Sequence, residues 1–442
     1  MANEKLLLQQ YLDLHPIMYR NKKYRIAYVS LIKYLCNKNA EDSQWGDSML
    51  NLMREKIMEN EEFLPVTVDS NNAVRFGGKK KPVLKHKFQK YRYNILTDCL
   101  FFDAFSDRKR GKTIFIKVCN LFPKNKSKLI RLFENFYKVN LLEIKKDFPM
   151  MEEIYEVIAR DRAFLEKQEK RIMITANMSA GKSTLLNALA GKKVNKTQND
   201  TCTAKLHYLY NKAGEDNLSY ELDHDLVLNA SREILMEDNV ENDTLEIVVG
   251  TRFRSLSEID KRICFIDTPG VNSSQNKEHR ELTSGAISDE NCDLLIFLLN
   301  GENIGTDDDI KHLRYVEEKY SGKILFLVNK LDRFKKEVDS VPGTLEKIKE
   351  DLVKLGFEKP EVYPISAYAG YLAKMALFGE ELTDDEMDDM DFRKRKLSRD
   401  EFRYDKYFDI PSAKIDETND NEVLLRNSGI LAVEQLIYNW EG

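Results

Sequence analysis

Five short runs constrain this chain more than any other feature: "RIMITA", "RICFID", "DLLIFLLN", "KILFLVN" and "EVYPIS", between residues 171 and 366. Each is almost continuously apolar. A strand with one wet face alternates polar and apolar residues, so runs without alternation belong to strands covered on both faces. The intervening segments are long enough for crossover helices. The expected fold is therefore α/β, a doubly wound and mostly parallel sheet over residues 169–442. Residues 1–148 have a different texture, with apolar residues at mixed helical spacing as in "LLLQQYLDL" and "SKLIRLFENFYKVNLLEI". They are expected to form a mostly helical accessory domain. Within it, "PVTVDSNNAVRFGGKKKPVLKHKFQKYRY" is basic and punctuated and reads as loop with a hairpin. Residues 149–168 read as a charged linking helix.

Charge follows the same division. Residues 1–150 hold 29 Lys and Arg against 16 Asp and Glu, and the rest hold 40 against 58, beneath a net charge of only −5. Such a split indicates modules with different partners, or modules that attract one another. No stretch approaches the roughly 18 uninterrupted apolar residues of a membrane span. The opening "MANEKLLLQQYLDLHP" lacks the apolar core and cleavage site of a secretory signal. Cys36, Cys99, Cys119, Cys202, Cys264 and Cys292 form no C-x-x-C pair. They read as reduced thiols of a cytoplasmic protein, not as a metal site or disulfide framework. Residues 377–420, with "ELTDDEMDDMDFRKRKLSRDEF", interrupt the α/β texture and read as solvated helix faces or a mobile linker. "NSGILAVEQLIYNW" reads as a closing amphipathic helix.

The first apolar run leads into "TANMSAGKST", residues 175–184. A phosphate-cradling loop reads G-x-x-x-x-G-K followed by Ser or Thr, between a strand and a helix. Here Ala176 replaces the first glycine, while Gly181, where the backbone must approach phosphate most closely, is kept. Asn177, Met178, Ser179 and Ala180 fill the loop, and "GKSTLLNALAG" continues as a helix ended by Gly191. In this reading the loop N–H groups converge on phosphate, Lys182 reaches the β- and γ-phosphates, and Ser183, beside Thr184, offers its hydroxyl to Mg2+. "RICFIDTPGV" then sets Asp267 at the end of a buried strand, where a second metal-shell ligand belongs. Gly270 allows a backbone N–H to approach a γ-phosphate.

"KILFLVNKLDRF" places Asn329, Lys330 and Asp332 after another strand. A carboxylate there accepts two hydrogen bonds from the N1–H and N2–H2 edge of guanine, whereas adenine offers no matching pair of donors. "PISAYAG" follows a further strand, and Ser366 with Ala367 is expected to bring a backbone N–H to guanine O6.

These four stretches, in this order, are those of the GTPase family of P-loop proteins. "MSAGKSTLLNALAG" followed by "NDTCTAKLHYLY" resembles, more narrowly, bacterial dynamin-like GTPases of the dynamin superfamily. The resemblance spans about residues 165–370, with 425–440 as the closing helix of the same domain. It implies hydrolysis of GTP to GDP and phosphate, activated by dimerisation across the nucleotide, with Mg2+ and a monovalent cation, K+ or Na+. It places the switch threonine that closes over Mg2+ and the γ-phosphate on Thr203, ahead of Thr201, and gives Ser179 and Lys182 catalytic parts. Met178 stands where the family often has Gln, and Val271 is followed by no nearby glutamine to orient water. The family also carries a long helical stalk and a membrane tip. Neither is legible in these 442 residues, so a GTP-dependent homodimer or a stalk-bearing partner protein is expected, and membrane remodelling is not.

A second class of function is a slow or inactive GTP-dependent interaction switch, which Met178 and Val271 favour. A third is suggested by Lys79–Lys81, Lys85, Lys87, Lys90 and Arg92 interleaved with Phe88, Tyr91 and Tyr93. Such a stretch could meet nucleic acid or an anionic surface, including membrane lipid. A solvated loop, or docking onto the acidic domain, is the preferred reading, and nucleic acid is disfavoured. An ATP-dependent P-loop kinase would have to treat Asn329, Lys330 and Asp332 as coincidence.

Overall fold

The computed structural model describes residues 6–36, 44–69, 73–77, 88–177, 179–195, 205–236, 244, 246–257, 259–268, 287, 292–335, 339–411 and 414–440. Met178, Thr201, Thr203, Gly270, Val271 and the basic residues Lys79–Lys81, Lys85 and Lys87 lie outside them. Two compact units are distinguished: Met1–Glu166 with Ala213–Tyr220 and Asp225–Asn229, and Lys167–Lys212 with Glu221–His224 and Ala230–Gly442. Helix Glu152–Glu166 groups with the first unit.

The first unit is mostly helical. Helix Arg92–Asp103 is buried at every position from Tyr93 to Phe102, which marks it as the centre around which the others pack. Its one buried charged residue, Asp98, accepts hydrogen bonds from Tyr11 Oη at 2.6 Å and Tyr28 Oη at 2.5 Å, with His15 Nε2 3.1 Å away. Val66–Val68 and Val74–Phe76 pair as an antiparallel hairpin within the punctuated stretch.

The second unit is built on seven strands of a mostly parallel sheet. They are β1 (Glu169–Ala176), β2 (Leu206–Asn211), β3 (Glu246–Thr251), β4 (Arg262–Asp267), β5 (Leu294–Asn300), β6 (Lys323–Asn329) and β7 (Glu361–Pro364), in the order β7-β6-β5-β1-β4-β2-β3. All five apolar runs are strands, and they form one parallel block, β7-β6-β5-β1-β4. β2 runs antiparallel to β4, and β3 is parallel to β2. Every residue of β5 from Leu294 to Leu299 is buried, as a central strand covered on both faces requires. The carboxyl ends of β1, β4, β5 and β6 come level, with Ala176 opposite Leu298, Ile174 opposite Asp267, and Asn329 opposite Asn300. Loops that leave this edge build the site.

The acidic-then-basic run in residues 377–420 contains a helix, Asp384–Leu397, with a capping box between Thr383 and Glu386. Asp384, Asp385 and Glu386 occupy its first turn and Lys394, Arg395 and Lys396 its last, the order that suits a helix dipole. Most of it is solvated, as read from the sequence, but Arg393 and Leu397 are buried. The closing helix runs Ile430–Asn439. Its Glu434 forms a fully buried ion pair with Lys374 of helix Ala367–Leu377, and Lys374 Nζ also donates to the Arg254 carbonyl at 2.7 Å. Among the described residues Cys36, Cys99 and Cys119 are free thiols. Among the described residues no helix is long and apolar enough to cross a membrane.

Candidate nucleotide-binding site

β1 ends at Ala176, which is fully buried in an ordinary strand position, so a side chain is tolerated where the usual loop has glycine. The conformational demand falls later. Ser179 has φ 61° and Gly181 φ 96°, the left-handed region. A Cβ on Gly181 would meet Asn329 Nδ2 at 2.5 Å, so glycine is required here for space as well as for backbone. Helix Lys182–Ala190 starts directly after, with Ser183 and Thr184 in its first turn. Asn177 Nδ2 donates to Asp309 Oδ1, which fastens the loop to helix Asp307–Lys319.

Lys182 Nζ forms an ion pair with Asp267 Oδ1 at the end of β4. Asn195 Nδ2 lies 3.3 Å from the other carboxylate oxygen, and Asn187 Oδ1 holds the Asn195 backbone N–H at 2.8 Å. Thr268 Oγ1 is 3.3 Å from Thr175 Oγ1, which is 2.9 Å from His312 Nε2. Burial pushes the His312 imidazole down to about 4, so it is neutral near pH 7.

The segment expected to read the base sits against the loop expected to cradle phosphate. Asn329 Nδ2 donates to the Ala180 carbonyl at 2.8 Å, and Lys330 Nζ to the Ser179 carbonyl at 2.6 Å. Lys330 takes the left-handed conformation, φ 68°, and the turn Leu331–Arg333 buries Asp332. Burial lowers the pKa of Lys330. Ser366 caps helix Ala367–Leu377, accepting from Ala369 N at 3.3 Å. Of the two backbone N–H groups at Ser366 and Ala367, one of which is expected near guanine O6, that of Ala367 donates to Asn329 Oδ1 at 2.9 Å and that of Ser366 to the Ser428 carbonyl at 2.9 Å.

The structure thus brings Ala176, Asn177, Ser179, Ala180, Gly181, Lys182, Ser183, Thr184, Asp267, Asn329, Lys330, Asp332, Ser366 and Ala367 to one end of the sheet. Thr203, Met178 and Gly270 lie outside the described residues. Sequence reasoning missed Asn195, Asp309 and Arg393, which touch the site residues from distant segments and belong to no local motif. The donor set fits magnesium held jointly with phosphate oxygens: one hydroxyl, Ser183, and one carboxylate, Asp267, both hard oxygen ligands. Among the described residues no cluster of three or more His, Cys, Asp or Glu could hold a metal ion by itself.

The strand order, the loop at Gly181 and the turn at Asp332 have the arrangement expected of a P-loop nucleotide-binding domain. Residues 172–331 match the model of the dynamin family. It is 26% identical over 278 residues to a probable transmembrane GTPase, FZO-like and chloroplastic, of Arabidopsis thaliana, covering 61% of this chain and 26% of that protein. It is 25% identical over 204 residues to dynamin-like protein A of Bacillus subtilis strain 168, covering 44% of this chain and 16% of that protein. The chain therefore spans about a quarter or less of these relatives. Among solved structures, Era from Aquifex aeolicus bound to GDP and AlF4- is similar at 18% identity, with 49% of this chain and 58% of that chain covered and a TM-score of 0.28.

Proposed function

We infer that the chain binds GTP with Mg2+ and hydrolyses it to GDP and phosphate. The observation that carries this reading is the junction at Asn329. One side chain joins the phosphate loop, through Ala180, to the turn after β7, through Ala367, and Lys330 adds a second tie to Ser179. A phosphate cradle and a base-selecting carboxylate are thereby held as one rigid frame, as recognition of a whole nucleotide requires.

In this reading Gly181 and the first turn of helix Lys182–Ala190 present backbone N–H groups to phosphate. Lys182 exchanges Asp267 for the β- and γ-phosphates and stabilises the charge that builds as the bond breaks. Ser183 and Asp267 would hold magnesium, which when bound neutralises phosphate charge. Asp332 accepts from the guanine N1–H and N2–H2 groups. Ser179 and Thr203 complete the environment of the attacking water. Activation by dimerisation and a K+ or Na+ requirement follow from the family resemblance and belong to the same proposal.

The test is GTP turnover by the purified chain over a range of protein concentrations, with K+ or with Na+. Specific activity that rises with concentration, and disappears in K182A, is expected. A flat rate no higher than that of K182A would favour the nucleotide-dependent switch.

A further inference from the structure

Asp332, the carboxylate read as selecting guanine, has a partner that no nucleotide motif contains. Its Oδ2 lies 3.4 Å from Nε of Arg393, and both side chains are buried. Arg393 belongs to helix Asp384–Leu397. Its Nη1 donates to the Asp389 carboxylate at 2.8 Å and to the Asp389 carbonyl at 3.1 Å, and its Cζ lies 4.5 Å from the centre of the Tyr368 ring. Nε, by contrast, is buried with no hydrogen-bond partner among the described residues. Three residues on, Lys396 Nζ donates to the Phe334 carbonyl. Positions three apart share a helix face, so the basic end of this helix grips the segment from Asp332 to Phe334 at two points.

A carboxylate reads guanine only if both oxygens face the N1–H and N2–H2 donors in one plane. It carries about four acceptor positions, so Oδ2 can face Arg393 with one and the base with another. The guanidinium is planar and fixed by Asp389 and Tyr368, which makes it a rigid reference for the carboxylate plane. It also supplies the counter-charge that a buried carboxylate needs. We propose that Arg393 is a specificity-determining positioning residue, which orients Asp332 so that both of its oxygens meet the base. This rests on the reading of Asp332 as the guanine-recognising group.

The test is equilibrium binding of GTP, inosine triphosphate and xanthosine triphosphate to the full chain, comparing wild type, R393Q, R393K and D332N. Inosine lacks the 2-amino group, so the GTP-to-ITP ratio reports the bond from N2 to Asp332. R393Q is expected to weaken GTP about tenfold and ITP much less, the cost of a misaligned charged hydrogen bond. R393K keeps the charge without the planar fork and should fall between R393Q and wild type. A ratio unchanged in either variant, or a parallel loss for both nucleotides, overturns the proposal, since a merely structural role would move both alike. If R393Q does not fold, R393K decides by the same criterion. A D332N variant that turns to XTP, beside an unchanged ratio in R393Q, sinks the Arg393 proposal alone; a D332N variant that shows no such turn sinks the base reading and the proposal with it.

Discussion

Asn329 donates to the carbonyl of Ala180 at 2.8 Å and crowds Gly181 so closely that no Cβ fits between them. The end of β6 is thereby locked onto the phosphate loop. In N329A the Ala180 carbonyl and the Ala367 N–H both lose their partner. Each lost bond costs on the order of 1 kcal/mol or more when the group left behind is buried. The expected result is a lower thermal midpoint and at least about tenfold weaker GDP binding, measured by calorimetry on the same preparation.

Lys182 and Asp267 form an ion pair in the proposed nucleotide site. K182A should retain the fold, because Asn195 still engages Asp267. GTP turnover is expected to fall by about 100-fold or more, as when a preorganised charge donor is removed. Single-turnover rates with saturating magnesium check this. Full activity in K182A would remove Lys182 from the mechanism.

His312 makes stability depend on pH in a defined direction. Its folded pKa is about 4 and its ordinary value 6.5, because burial disfavours the charged ring. The unfolded chain therefore binds this proton first. The stabilisation is complete above about pH 6.5 and is lost as pH falls towards 4, by up to roughly 3 kcal/mol for a shift of this size. Urea unfolding of wild type and H312Q across this range should show the steeper pH dependence in the wild type.

Lys374 and Glu434 form an ion pair with almost no exposure, and burial lowers the lysine pKa and raises that of the glutamate. Removing one partner leaves an isolated buried charge, so K374M should cost about 3–5 kcal/mol. The double variant K374M/E434L should recover most of that loss. Chemical denaturation of the three variants tests the coupling.

Much of the nucleotide domain was legible because its signals are local. Each of the five apolar runs is a strand of the parallel block, and the charged run that follows them proves to be a capped helix. β2 and β3 were harder to read: each buries only part of its length, so neither has the continuous apolar texture of a central strand. The contacts of Asp332 with Arg393, Asp267 with Asn195 and Asn177 with Asp309 join segments far apart in sequence, and no spacing rule announces them. The Ala367 N–H shows the same limit. Its position after β7 was readable, but its partner Asn329 was fixed only by packing.

We propose above all that one end of this sheet selects guanine nucleotides through Asp332. Competition against a fluorescent GDP analogue tests it directly, with GTP, ATP and XTP as competitors. GTP is expected to displace the probe from wild type and ATP is not, and D332N is expected to prefer XTP. Equal displacement by ATP and GTP, or a D332N variant that still prefers GTP, would contradict it.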